Sequence, residues 1–314
     1  MIGAVVLLLV AGKLLAPTSV SSGSLQGMLP FAAVLAIAAV GQTLVIQQGG
    51  IDLSVPGSVS LTVVITTFEP HGQDSRLLSA VLLALLVSVG VGLVNGTLIG
   101  RFGLNPIVAT LGTNALMYAG VLGISGGSPR RTTALLARIA DDSTAGVPNA
   151  VYFAMATVAI VSVLVKSTVV GRRFEATGAN PFAARAMGLK VGRHRTGAYV
   201  GAQVMYWLAA VLLGGIVNQP TAFQGDAYLL PTVAAVVLGG TSLLGGRGNL
   251  LASAVAALFL TQLDQFVLAL GVGFAVQTLV EAGALAVGVA LYSVNWAAVR
   301  HRLSPPGRRE LAAT

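Results

Sequence analysis

The chain has 314 residues, of which 55% are hydrophobic and only 9% charged, with a mean hydropathy of +0.86. A water-facing domain carries roughly 25% charged residues, so this chain cannot present its surface to water, and a net charge of +8 spread so thinly does not make a nucleic-acid interface. The absence of cysteine removes disulfides, thiolate metal sites and cysteine nucleophiles.

About ten helices of ~20 residues would use ~200 positions, leaving enough chain for loops but not for a sizeable soluble domain. The expected fold is therefore an all-α polytopic membrane protein, with residues 1–314 forming a single transmembrane domain. In chain order, apolar runs predict spans near 1–16, 29–47, 54–68, 77–100, 106–124, 149–168, 197–217, 232–246, 249–269 and 273–294. The first lacks a basic leader and carries Lys13 within its apolar run, so it reads as a span and not as a cleaved signal. The want of basic residues ahead of it points to a translation start further upstream. The eighth run is short and interrupted by Gly239, Gly240, Gly245 and Gly246. Membrane strands are not expected, because the runs are continuously apolar and do not alternate in ~10-residue segments.

Lys and Arg in the loops set the orientation. With the N-terminus inside, thirteen basic residues fall on inward segments, against Arg76, Arg130, Arg131 and Arg138 outside. Both termini, including a tail at 295–314, are thus expected in the cytoplasm.

Two segments break the apolar pattern. Residues 41–57, GQTLVIQQGGIDLSVPG, hold paired glycines, an acid and a proline, and residues 239–249, GGTSLLGGRGN, occupy the corresponding place in the second half. Irregular backbone at membrane depth survives only where protein or water satisfies its polar groups. Two such breaks in two five-span halves predict a duplicated architecture around a central pathway.

The longest inward loop, 169–196, carries six of the inward basic residues. Within it Asn180 can cap a short helix begun by Pro181, and Gly188 can end it. Small residues such as Ala184 would let that helix enter a partner's groove. On spacing alone, docking and a purely topological basic loop are equally supported.

Catalytic signatures are absent. Lys166-Ser167 is the nearest approach to a phosphate-binding GxxxxGK[ST] loop but lacks its glycines. His71, His194 and His301 stand apart from any metal-ligand spacing, and no GxSxG occurs. No enzyme activity, cofactor or metal is expected. Polar residues within spans are the remaining candidates: Gln42, Asn95, Asn114, Gln262, Asp264, Gln265, Gln277 and Glu281. Most amides in this setting cross-link helices, whereas Asp264 and Glu281 need a partner, water or a proton. The glycine stripes at 92, 96 and 100 and at 197 and 201 read as close helix packing.

GQTLVIQQGGIDLS resembles permease subunits of bacterial ABC importers of the ribose/xylose/arabinose type. The likeness continues, in that family's order, through NGTLIGRFGLNPIVATLGT (95–113), GRRFEATGANPFAARAMGLKV (171–191) and AAVVLGGTSLLGGRGN (234–249). It implies a ten-span, type II-like importer fold at the bacterial inner membrane. Two permease subunits, identical or paralogous, would sit on two cytoplasmic ATP-binding cassette subunits and be fed by a periplasmic or lipoprotein solute-binding protein. It also implies that 171–191 receives the ATPase stroke, with Arg172, Gly178, Asn180, Pro181, Ala184 and Gly188 as coupling residues, which favours docking. Gly49, Gly50 and Asp52 would shape the first break; with Gln42, Asn95, Asn114, Gly239 and Gly240 they are the pathway candidates. Pro56 and the run AYLLPTVAAVV depart from the family pattern and mark a divergent subgroup. The function implied is ATP-driven import of a neutral sugar or polyol. The rivals are a branched-chain amino acid permease of related fold, an ion-coupled transporter using Asp264 or Glu281, and a structural membrane scaffold.

Overall fold

A computed structural model describes residues 1–273 and, beyond them, 275, 276, 278–280, 282, 283 and 286. Most of the expected tenth span, the tail at 295–314, Gln277, Glu281 and His301 lie outside the described residues.

Among the described residues, six helices are long and apolar enough to cross a membrane: α2 (Ser22–Gln47), α4 (Leu77–Gly100), α5 (Pro106–Ser125), α7 (Asn149–Ser167), α10 (Val191–Ile216) and α12 (Leu250–Ala269). Three apolar helices are shorter: α1 (Ile2–Leu15), α3 (Val55–Phe68) and α11 (Leu229–Leu238). Between them lie α6 (Ala134–Asp141), α8 (Val169–Ala179) and α9 (Pro181–Ala186), together with a two-stranded hairpin, β1 (Ser143–Thr144) and β2 (Val147–Pro148). Leucine, isoleucine and valine project outward from α4, α5 and α7, as Leu78, Leu86, Val108, Leu116, Ile160 and Val163 do. Such surfaces are stable against lipid and not against water.

The sequence expectations need three corrections. The eighth span, expected over 232–246, ends at Leu238, and ten helical residues reach only ~15 Å, half of a ~30 Å hydrocarbon layer. The loop at 169–196, expected to face inward, is mostly helix: Thr168 caps α8 through Gly171 N (3.0 Å), and α10 begins at Val191. The loop at 125–148, expected to face outward, holds α6 and the hairpin, turned by Ala145 and Gly146 at positive φ.

The core is built around α2, which is buried from Ala32 to Gln47 and packs on α7, α10, α11 and α12. Beside it α4 and α10 run antiparallel at very short range. A Cβ at Gly92 would lie 2.7 Å from Val200 Cα, one at Gly96 2.6 Å from Thr196 Cα, and one at Gly100 2.6 Å from the Gly192 carbonyl. The 92/96/100 stripe is therefore a helix-packing seam, reinforced by Thr196 Oγ1 donating to the Gly96 carbonyl at 2.8 Å. Pro56 falls in the first turn of α3, where its missing N–H costs no helical hydrogen bond.

Helix ends gather at two poles. One holds the end of α2, α8, α9 and the start of α10. At the other, Asp74 accepts from Leu135 N (2.9 Å) and Thr132 N donates to the Asn218 carbonyl (2.9 Å), tying the loops 69–76, 125–148 and 217–228 together.

Candidate functional site

The two glycine breaks meet, and α8 sits on both. The first opens after Gln47, where α2 stops; the second fills the interval between α11 and α12. Gly246 N donates to the Gln47 carbonyl at 2.9 Å, and a Cβ at Gly245 would stand 3.1 Å from Gly49 N. The C-terminus of α8 closes the junction. Gly178 lies so near the Gln47 carbonyl that any side chain there would overlap it, and a Cβ at Gly246 would come within 2.8 Å of Ala179 Cα. Gln48 Nε2 adds a hydrogen bond to the Phe174 carbonyl at 2.8 Å. Only glycine fits here, because at Gly246 φ is +81° and backbone approaches backbone.

Immediately after α8, Asn180 caps α9 by accepting from Phe182 N (3.1 Å) and Ala183 N (3.0 Å), with Pro181 in the first turn. At the other end Leu189 N bonds the Ala184 carbonyl and Gly188 N the Arg185 carbonyl, each at 2.9 Å, with Gly188 at φ +80°. This Schellman arrangement stops the helix after two turns. Ala184 is buried, while Phe182 and Met187 are 80% and 69% exposed. Arg172 is exposed, with its guanidinium on the Ser167 carbonyl at 3.3 Å.

Beyond the junction the first break runs into a buried polar network. Asp52, wholly buried, accepts from Ser54 N (2.9 Å) and from Ser54 Oγ. Ser54 Oγ in turn accepts from Asn95 Nδ2 (3.2 Å) and Gln203 Nε2 (2.9 Å). Thr113 Oγ1 donates to Asn95 Oδ1 (2.8 Å), and Ser58 Oγ to Gln203 Oε1 (2.7 Å). One serine thus ties the break to α4 and α10, and through Asn95 to α5. Tyr199 packs its hydroxyl onto Gly50; that hydroxyl and Asp52 Oδ2 are buried without a hydrogen-bond partner among the described residues.

Of the pathway candidates, Gly49, Gly50, Asp52 and Asn95 come together here. Asn114 stands at the edge, accepting from Gly57 N at 2.8 Å. Gln42 lies deeper in α2 and accepts from Tyr206 Oη at 2.6 Å. Gly239 and Gly240 do not join the network: Gly239 backs onto Ser253 in α12, and the second pair, Gly245 and Gly246, makes the junction. Gln262 cross-links α12 to the Ser19 carbonyl at 3.4 Å, while Asp264 lies on α12 away from the network. Sequence reading missed Ser54, Thr113, Tyr199 and Gln203. The signal was present in α10, where Tyr199, Gln203 and Tyr206 recur at the i, i+4, i+7 spacing of one helical face.

An apolar helical bundle in which two glycine breaks meet, the first of them running on into a buried polar network, defines a multi-pass membrane transport protein. Residues 24–294 match the family described as branched-chain amino acid transport system / permease component, and the chain belongs to that family. It is 32% identical over 273 residues to the probable ABC transporter permease protein y4mJ of Sinorhizobium fredii, covering 86% of this chain and 81% of that one. It is 31% identical over 293 residues to the ribose import permease protein RbsC of Escherichia coli (89% and 88% covered). With the fructose import permease protein FruF of Bifidobacterium longum it shares 31% over 260 residues (80% and 72% covered). No solved structure matches the chain.

Proposed function

We propose that the chain is the membrane-spanning subunit of an ATP-driven importer that carries a neutral sugar or related polyol across the bacterial inner membrane. Two such subunits, identical or paralogous, work with two cytoplasmic ATP-binding cassette subunits and an external solute-binding protein. The pole bearing α8 and α9 faces the cytoplasm, as the basic residues gathered there favour. The carrying observation is that α8 touches both glycine breaks at once. A push on 171–191 therefore reaches the end of α2 directly and, through Gly246, the loop that leads into α12. Phe182 and Met187, exposed on a firmly capped helix, are the anchors such a push needs. At the opposite pole the tied loops 69–76 and 125–148 offer one continuous surface for the loaded receptor.

Sugar transport is favoured over branched-chain amino acids because ribose and fructose import permeases stand among the relatives. Hydroxyl and amide groups, which exchange hydrogen bonds with a polyol, also dominate the buried network. The decisive experiment is uptake into proteoliposomes holding this subunit, its ATPase and its receptor. Ribose or another neutral sugar should enter only with internal ATP and be indifferent to a protonophore. Import of leucine but no sugar would overturn the substrate class. Uptake without the ATPase that collapses with a protonophore would overturn the energy source in favour of ion coupling.

A further inference from the structure

Between α7, α8 and α10 runs a groove of about 940 Å³ that lies apart from the polar network and meets the junction only at Phe174. Its walls are apolar, built by Val161, Val165, Phe174 and Met205, and its floor is Gly197 and Gly201 of α10. These two glycines behave unlike the 92/96/100 seam. Gly197 faces open space, and a Cβ at Gly201 would meet only Leu44 Cδ1 at 3.2 Å. Gly197 leaves room that no neighbouring helix fills, and at Gly201 only the Leu44 side chain of α2 comes close.

The groove is also electrically lopsided. Arg173, Lys190 and Arg193 border it at the pole that carries α8 and α9, and no carboxylate among the described residues lines it. From Lys190 to Gly201 the helix rises ~16 Å, close to the ~15 Å of one leaflet's hydrocarbon. We infer that this groove is a binding site for an anionic phospholipid, with an acyl chain along Gly197 and Gly201 and the phosphate among Arg173, Lys190 and Arg193. Long basic side chains at a span's end suit this arrangement, since their stems lie along apolar surface while their heads reach the interface.

A second copy of the chain fits less well. Of the described carboxylates near this pole, Asp52 is buried and Glu175 lines a separate cleft already flanked by Lys166 and Arg172, so a neighbouring copy offers the three cations little counter-charge. A soluble partner cannot follow the groove to membrane depth. The choice of inner leaflet rests on the orientation proposed above; the binding itself does not.

The chain has no cysteine, so Leu164→Cys places a single fluorescent reporter on the exposed rim of the groove. The assembled importer carrying it is reconstituted into phosphatidylcholine vesicles containing a fraction of brominated-chain lipid. Brominated phosphatidylglycerol should quench the reporter at least threefold more effectively than brominated phosphatidylcholine at equal fraction. That difference should vanish in Lys190→Gln/Arg193→Gln and in Gly197→Leu, which fills the groove. Equal quenching by the two lipids, quenching by neither, or a preference that survives both variants would overturn the assignment. Oxidative cross-linking of unlabelled Leu164→Cys importer, joining the introduced thiols of two copies across the groove, would replace it with a contact between copies. The same variants report ATP-dependent uptake separately, so failure of the transport reading is distinguishable from failure of the lipid site.

Discussion

Gly178→Ala makes opposite predictions for a free helix and for one seated on the first break. Gly178 lies within α8 with ordinary helical backbone. Replacing a helical glycine by alanine should therefore stabilise α8 by up to ~1 kcal/mol if nothing else changes. The added methyl, however, falls on the Gln47 carbonyl. Restoring a normal separation of ~3.5 Å requires α8 to withdraw by roughly 1 Å or more, and overpacking of this kind costs about 1–3 kcal/mol. The net expectation is a loss of ~0–2 kcal/mol in stability. Withdrawal of α8 should also loosen the Gly246–Gln47 hydrogen bond and lengthen the path from ATPase to break. In the reconstituted importer, solute moved per ATP hydrolysed should fall at least fivefold while ATP hydrolysis persists. Gly112→Ala is the matched control, because Gly112 lies within α5, gains the same helical propensity and meets nothing within 4 Å. If Gly178→Ala raises thermal stability as the control does and leaves the transport-to-hydrolysis ratio unchanged, the direct seating of α8 on the break is refuted.

Ser54→Ala removes three hydrogen bonds at once, those to Asp52, Asn95 and Gln203. At ~0.6 kcal/mol each for membrane-embedded side chains this amounts to about 2 kcal/mol, read as a lowered melting temperature in detergent. Thr113→Val removes Thr113's bond to Asn95 and its Thr110 carbonyl bond, so it should cost less, and an equal loss would argue against Ser54 as the hub. Phe182→Ala should leave melting unchanged, since the ring is 80% exposed, yet weaken co-purification of the ATPase by tenfold or more. Asp74→Ala frees Leu135 N at the start of α6, costing ~1 kcal/mol locally and reducing receptor affinity, measured by binding to the liposome-embedded complex, without changing basal ATP hydrolysis.

Much of this was legible in the residues, for reasons that can be named. The capped helix at 180–188 was readable because a side-chain cap, a first-turn proline and a terminal glycine are local devices whose partners lie within a few residues. The breaks were readable because glycine pairs, an acid and a proline have no reason to interrupt an apolar run. The meeting of those breaks was not readable, since Gly246 and Gln47 lie far apart in the chain and neither residue type announces the other. The end of α11 at Leu238 was not readable because hydropathy continues past it into SLLGG, and apolar residues alone do not say where hydrogen bonding stops. The network's hub escaped notice for a similar reason: Ser54 is a common residue, and only its three partners on other segments give it weight.

Glycine makes the same point in three settings within one molecule. The stripes 92/96/100 and 197/201 have the same four-residue spacing, and both predict a helix approaching closely. One is filled by the α10 backbone; in the other, Gly197 meets nothing within 4 Å and Gly201 only the tip of Leu44. At the junction the same residue admits a carbonyl from one segment and a strained turn from another. Spacing specifies only that room has been left on a helical face. What occupies that room is decided by the neighbouring element, and where the neighbour is absent and the rim is basic, by the membrane the chain is built to stand in.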